Sequence, residues 1–86
     1  MNENKIKLIV VTTGEDYEDD FNIHQPLRVV KIQTLAHVQP GANPDLFHLE
    51  YNDQTLDEGR KIDEYIQEYG WTDGTTLELV SQPEVI

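Results

Sequence analysis

The chain contains no cysteine. That absence excludes a disulfide framework and a thiolate zinc site, so packing alone has to hold the fold together. Basic residues are scarce as well: six Lys and Arg stand against 17 Asp and Glu, a formal net charge of -11. Such a surface repels phosphate backbones and anionic lipid and has no basic stripe for counterion release, so neither nucleic acid nor a membrane is an expected partner. The same charge keeps a small protein soluble and speeds its encounter with a basic protein surface, and the sequence supports both readings. Long hydrophobic runs are missing too. The most apolar stretch near the start, Ile6 to Val11, is six residues long and includes Lys7, far short of a membrane span or a signal-peptide core. A soluble, cytoplasmic protein is the expectation.

Groupings that carry catalysis are also lacking. There is no thiol nucleophile, Ser81 has no neighbouring base, and no glycine motif could cradle a phosphate. The many carboxylates fall on turns and faces without a framework that would form a pocket. No enzymatic activity and no cofactor are therefore expected. His24, His37 and His48 fall on different predicted elements without ligand spacing, so no metal site is expected either. The acidic run Glu15 to Asp20 lacks the alternating ligands and central glycine of an EF-hand and reads as a solvated hairpin tip.

What is present is an alternation of apolar segments and turns over 86 residues, enough for one domain spanning 1–86, with 1–4 and 81–86 as flexible tails. Lys5 to Thr13 is rich in β-branched residues: Ile6, Leu8 and Val10 take one face of a strand, Ile9 and Val11 the other. Gly14 to Asp16 is a turn, and Tyr17 to His24 returns as a second strand with Phe21 and Ile23 facing the first. Pro26 suits a first helical turn, and Leu27 to Val38 carries apolar residues at helical spacing. Two registers compete there: Leu27, Val30 and Val38 with Thr34 between, or Val29, Ile32 and Ala36 with Leu35 beside them. Gln39 to Pro44 ends the helix. Leu46 to Tyr51 reads as a third strand, with Phe47, Leu49 and Tyr51 opposite His48 and Glu50. After a turn at Asn52-Asp53, Gln54 to Leu56 makes a very short strand. Tyr65 to Gly70 holds a single helical turn, and Thr75 to Val80 is the last strand, with Leu77 and Leu79 inward. Trp71 is either a partner anchor or, more in keeping with its neighbours, a lid packed on the lower edge of the core.

The order strand, strand, helix, strand, short strand, strand, together with TLDEGRKIDEY (Thr55 to Tyr65) and TTLELV (Thr75 to Val80) at their mutual spacing, resembles the ubiquitin-like β-grasp family. The resemblance spans nearly the whole chain, by pattern more than identity in the first half. It implies an α+β fold in which a mixed sheet of four to five strands packs on one helix. It also implies that Leu56 and Ile62 anchor the crossing segment in the core, that Gly59 makes a turn and that Tyr65 pins the next loop.

Function follows the same resemblance. In the family a small apolar patch on the exposed sheet face is read by partners, and its positions fall here on Glu50, Glu78 and Val80. Carboxylates at the patch centre would have to lose water to meet an apolar partner, so ordinary ubiquitin readers are not expected to bind. A different patch, Ile9, Val11 and Val80 rimmed by His48, Glu50 and Glu78, suits a partner with an apolar spot and a basic rim. The β-branched residues of the first strand also serve the strand itself, so structure alone would explain them. At the carboxyl end, Val85 and Ile86 stand where the family's modifiers carry two glycines, and both are stiff. Two functions are expected from this set. One is the modifier of a bacterial ubiquitin-like conjugation system, with an activating or conjugating enzyme as partner. The other is a stand-alone interaction module that is never conjugated. The oligomeric state is not set by the sequence.

Overall fold

In the computed structural model, which describes residues 4–82, the chain runs through β1 (Lys5–Val11), β2 (Asp16–Asn22), α1 (Arg28–Val38), a 3-10 turn (Pro44–Leu46), β3 (Phe47–Tyr51), β4 (Gln54–Thr55), α2 (Ile62–Tyr69) and β5 (Thr75–Ser81). The strands form one sheet in the order β2-β1-β5-β3-β4. β1 and β5 lie parallel in the middle and the other pairs are antiparallel. The α+β architecture expected from the sequence is thus present, with five strands and a second helix.

Period-two patterning decides which side of the sheet is dry. Ile6, Leu8 and Val10 of β1, Phe21 of β2, Leu49 of β3 and Leu77 and Leu79 of β5 are buried on the inner face, where α1 adds Leu27, Val30 and Leu35. Each such side chain contributes about 1.5 to 3 kcal/mol of burial free energy. The expected strand limits shift slightly. β1 stops at Val11 because Thr12 leaves the ladder: its Oγ1 accepts from the Gly14 and Glu15 amides and donates to the Glu15 carbonyl, a side-chain-built turn. Ile23 lies past the end of β2, half-buried against the core. Leu46 belongs to the 3-10 turn and is exposed, not to β3. β5 includes Ser81, and the Gln82 amide donates to the Leu46 carbonyl at 2.7 Å, so the chain is still paired where the sequence suggests a tail.

Helix α1 resolves its two registers in favour of the first. Leu27, Val30 and Thr34 are fully buried, whereas Ile32 is 46% exposed and Ala36 is on the surface; Leu35 alone is shared from the second set. Thr34 is tolerated in the core because its Oγ1 donates to the Val30 carbonyl at 2.8 Å. No side chain caps the helix. Its first amides are met instead by backbone carbonyls of the crossing segment, Leu27 to Arg60 at 2.8 Å and Arg28 to Glu58 at 3.0 Å.

Lys31 also lies in the buried stripe, 7% exposed. Its ammonium sits 2.6 Å from a Glu58 carboxylate oxygen and donates to the Phe47 carbonyl at 3.2 Å. A charge can occupy that depth only because both its partner and its remaining hydrogen bond are supplied there.

The crossing segment keeps its anchors and its turn at Gly59 but departs from expectation in two ways. Leu56 and Ile62 are buried as the anchors, but the helical turn expected at Tyr65 to Gly70 is an eight-residue helix, α2, starting at Ile62. It begins where the Glu64 carboxylate reaches back to the Lys61 amide at 2.9 Å and ends at Gly70, whose φ of 71° is the left-handed conformation glycine adopts without a Cβ clash. Gly59 does not take that conformation; its turn is closed by the Asp57 carboxylate accepting from the Gly59 amide at 2.9 Å. The Tyr65 hydroxyl pins the preceding loop, not the next one, accepting from the Asp57 amide at 2.7 Å. Trp71 is buried, as a lid on the core's edge. Among the described residues no helix is long and apolar enough to cross a membrane.

Candidate interaction surface

With α1 covering one side of the sheet, the other side faces outward. Pairing registers place its side chains in rows. One row runs Asp16, Val11, Glu78, Glu50, Thr55 across all five strands. Next to it lie Glu18, Ile9 and Thr76, and on the other side Val80 is paired with His48. The structure therefore brings Ile9, Val11, His48, Glu50, Glu78 and Val80 onto one surface. Ile9, Val11 and Val80 are half-buried there, and Glu78 is exposed. Val85 and Ile86 lie outside the described residues.

The strands end unevenly, and that shapes the surface. β1 leaves the sheet after Val11, whose partner is Glu78, while β5 continues to Ser81. The mismatch leaves an open depression of about 260 Å³ lined by Val11, Thr12, Thr13, Glu78, Val80 and Ser81, with Leu79 at its base.

Two arrangements on this face were not foreseen from sequence. His48 and Glu50, two residues apart on β3, point the same way and meet: Nε2 is 2.7 Å from a Glu50 carboxylate oxygen, with side chains 17% and 22% exposed. His48 thereby holds the Glu50 carboxylate in place. The i, i+2 spacing was the available signal. Second, Glu50 and Glu78 are cross-strand partners. The Leu56 amide donates to the Leu49 carbonyl on the β4 side, which makes Glu50 and Glu78 a hydrogen-bonded ladder pair with Cα atoms about 5.5 Å apart. Neither carboxylate forms an ion pair with any described Lys or Arg.

Like charges directly opposite each other weaken a sheet by a few tenths of a kcal/mol. Glu78→Gln is accordingly expected to raise the melting temperature by about 1 to 3 °C at low salt. The gain should shrink at high salt as screening removes the repulsion. Thermal melts of both proteins at two salt concentrations check this.

The remaining histidines stand apart. His24 Nδ1 lies 3.6 Å from an Asp63 carboxylate oxygen, and the His37 ring packs on Tyr17 at 4.9 Å. Tyr17 is on the helix side of β2, where partial burial, then the hydrogen bond to Asp19 and its charge, push the phenol above its ordinary value. Among the described residues no group of His, Asp and Glu is placed to hold a metal ion. A larger depression of about 380 Å³ lies at the sheet's end on the helix side, against Val38 and Phe47, and gathers no titratable group besides Glu15.

No protein-family model matches the chain, and no curated protein matches it. Solved structures do. A ubiquitin of Caldiarchaeum subterraneum superposes with a TM-score of 0.73 at 18% identity, over 93% of this chain and 96% of that one. The ubiquitin-like domain of Plasmodium falciparum Dsk2 gives 0.73 at 18% identity, over 91% and 99%. A designed protein based on ubiquitin gives 0.74 at 21% identity, over 98% and 96%. At such identities the likeness speaks to the backbone, and it agrees with the strand order and with the buried Leu56 and Ile62 anchors: the chain has the ubiquitin-like β-grasp fold.

Proposed function

We propose that the chain is a non-enzymatic, cytoplasmic protein-interaction module whose outer sheet face is read by a partner bringing an apolar spot and a basic rim. The observation that carries this is the row Val11, Glu78, Glu50 beside half-buried Ile9 and Val80. Apolar contact area and carboxylates that no Lys or Arg neutralises lie there within one strand spacing of each other. A partner with apolar and cationic groups on a matching pitch gains burial from the first and charge complementarity from the second. An apolar reader of the kind that suits ubiquitin would have to strip water from Glu50 and Glu78, at a cost of several kcal/mol.

Co-purification from the native host with wild-type chain and with Val11→Asp tests the reading. Val11 is half-exposed, so the variant keeps the fold by circular dichroism, yet it places a carboxylate under the partner's apolar spot. Retention of the partner should fall at least tenfold, and raised salt should slow association of the wild type. A partner retained equally by both proteins would remove the sheet face from the function.

The likeness to an archaeal ubiquitin favours a second reading, in which the chain is the modifier of a bacterial ubiquitin-like conjugation system and the face is engaged by its activating or conjugating enzyme. An ATP-dependent adduct at the carboxyl end, detected by intact-mass spectrometry after incubation with native-host lysate, would support that reading. Absence of any adduct leaves the stand-alone module.

A further inference from the structure

We propose that Glu50 and Glu78 together clamp an arginine guanidinium of the partner, and that the partner's aliphatic residue seats over Val11 and Val80 at a fixed spacing from that arginine. The inference names the chemistry of the partner on the face already described and rests on that reading.

Three features select arginine. The two carboxylates project side by side from adjacent strands, so a planar fork of N–H donors can serve both, whereas a lysine ammonium is a single point charge. His48 holds one Glu50 oxygen at 2.7 Å and leaves the other free. Glu78 is exposed, and its carboxylate has no hydrogen bond or ion pair to a described residue. No Lys or Arg of the described residues forms an ion pair with Glu50 or Glu78. Lys31 is engaged with Glu58 and Arg60 with Glu64 and Glu68, while Lys7 stands opposite Asp20 in the β1–β2 ladder, two residues before Ile9.

The strand pitch sets the spacing. Neighbouring strands are about 4.8 Å apart, so the midpoint of the Glu78 and Glu50 columns lies about 7 Å from that of Val11. Residues i and i+2 of an extended segment are about 6.7 Å apart on one face, and i and i+4 of a helix about 6 Å. A partner segment crossing the strands therefore carries an aliphatic residue and an arginine two apart if extended, or four apart if helical. The aliphatic side chain enters the depression left where β1 turns away.

A random peptide display library screened against the full chain, with Val11→Asp and the double variant Glu50→Gln, Glu78→Gln in parallel, tests the proposal. Peptides whose retention depends on Val11 should share an arginine at one of those two spacings from an aliphatic residue. A synthetic consensus peptide should bind the double variant at least tenfold more weakly, and its Arg→Lys version should bind the wild-type chain several-fold more weakly. Val11-dependent peptides with no fixed basic residue, or with equal affinity for the double variant, overturn the clamp and leave the sheet-face reading standing. If no peptide depends on Val11, both fall. Self-association of the chain that is lost in Val11→Asp would assign the face to a second copy and overturn the proposal. Thermal melts confirm that the double variant is folded.

Discussion

Lys31→Ala is expected to destabilise the chain by about 3 kcal/mol, lowering the melting temperature by on the order of 15 °C for a domain of this size. The cause is what the mutation leaves behind. Glu58, whose side chain is 19% exposed, would keep a carboxylate facing the helix with no cation, and the Phe47 carbonyl would lose its donor. An uncompensated charge at that depth costs more than the pair contributes, so the comparison with a paired replacement is informative. Lys31→Met combined with Glu58→Gln removes both charges and should be much closer to wild type than either single change. Urea denaturation of the four proteins measures the coupling. Additive single effects would mean that the two side chains do not act as a pair.

The second large effect belongs to Trp71. Its indole is stacked on Tyr65 with ring centroids 5.3 Å apart and meets the Tyr51 ring edge-on at the same distance, with Tyr69 further out at 6.3 Å. Truncation to alanine removes that whole contact set and opens a cavity beside Tyr65 and Tyr51, at a cost of about 3 to 5 kcal/mol. Trp71→Phe should cost far less. Most of the stacked area survives, and the indole Nε1, buried with no hydrogen-bond partner among the described residues, is deleted without leaving anything unpaired. Because Trp71 is the sole tryptophan, the measurement needs far-UV circular dichroism in place of fluorescence. Equal losses for alanine and phenylalanine would show that the indole nitrogen matters more than the stack.

The sheet was legible in the chain because its signal is local. Alternation in KIKLIVV and TTLELV, the breakers after Val38, and the turn at Asn52-Asp53, whose φ values of 50° and 66° fit a tight hairpin, each announce themselves within a few residues. What escaped depends on contacts far apart in the chain. Lys31 reads as a solvent charge until Glu58 and the Phe47 carbonyl are placed around it, and only then does it become part of the helix's buried stripe. That also explains why two helix registers competed: a stripe of Leu27, Val30, Thr34 and Leu35 contains a threonine and flanks a lysine, so apolar spacing alone could not separate it from Val29 and Ile32. Helix α2 is longer than its sequence signal for a different reason. Ile62, Tyr65, Ile66 and Tyr69 have helical spacing, but the charged residues before Tyr65 look like a loop unless the Glu64 carboxylate is recognised as a cap for the Lys61 amide. On the outer face, strand alternation and the pairing registers put Ile9, Val11, His48, Glu50, Glu78 and Val80 on the same side of the sheet. The opposition of Glu50 and Glu78 required the pairing register, which no single strand encodes.

One feature of the backbone reaches beyond stability. The start of α1 donates to the carbonyls of Arg60 and Glu58, while the start of α2 donates to those of Gln25 and Ile23, so each segment completes the other. Neither half can finish on its own during synthesis: the hairpin and first helix emerge early, yet their ends stay open until residues near 60 arrive. The chain should consequently mature in one late, all-or-none step, and a nascent fragment stopping before Leu56 would be a substrate for chaperones and proteases, not a smaller working unit.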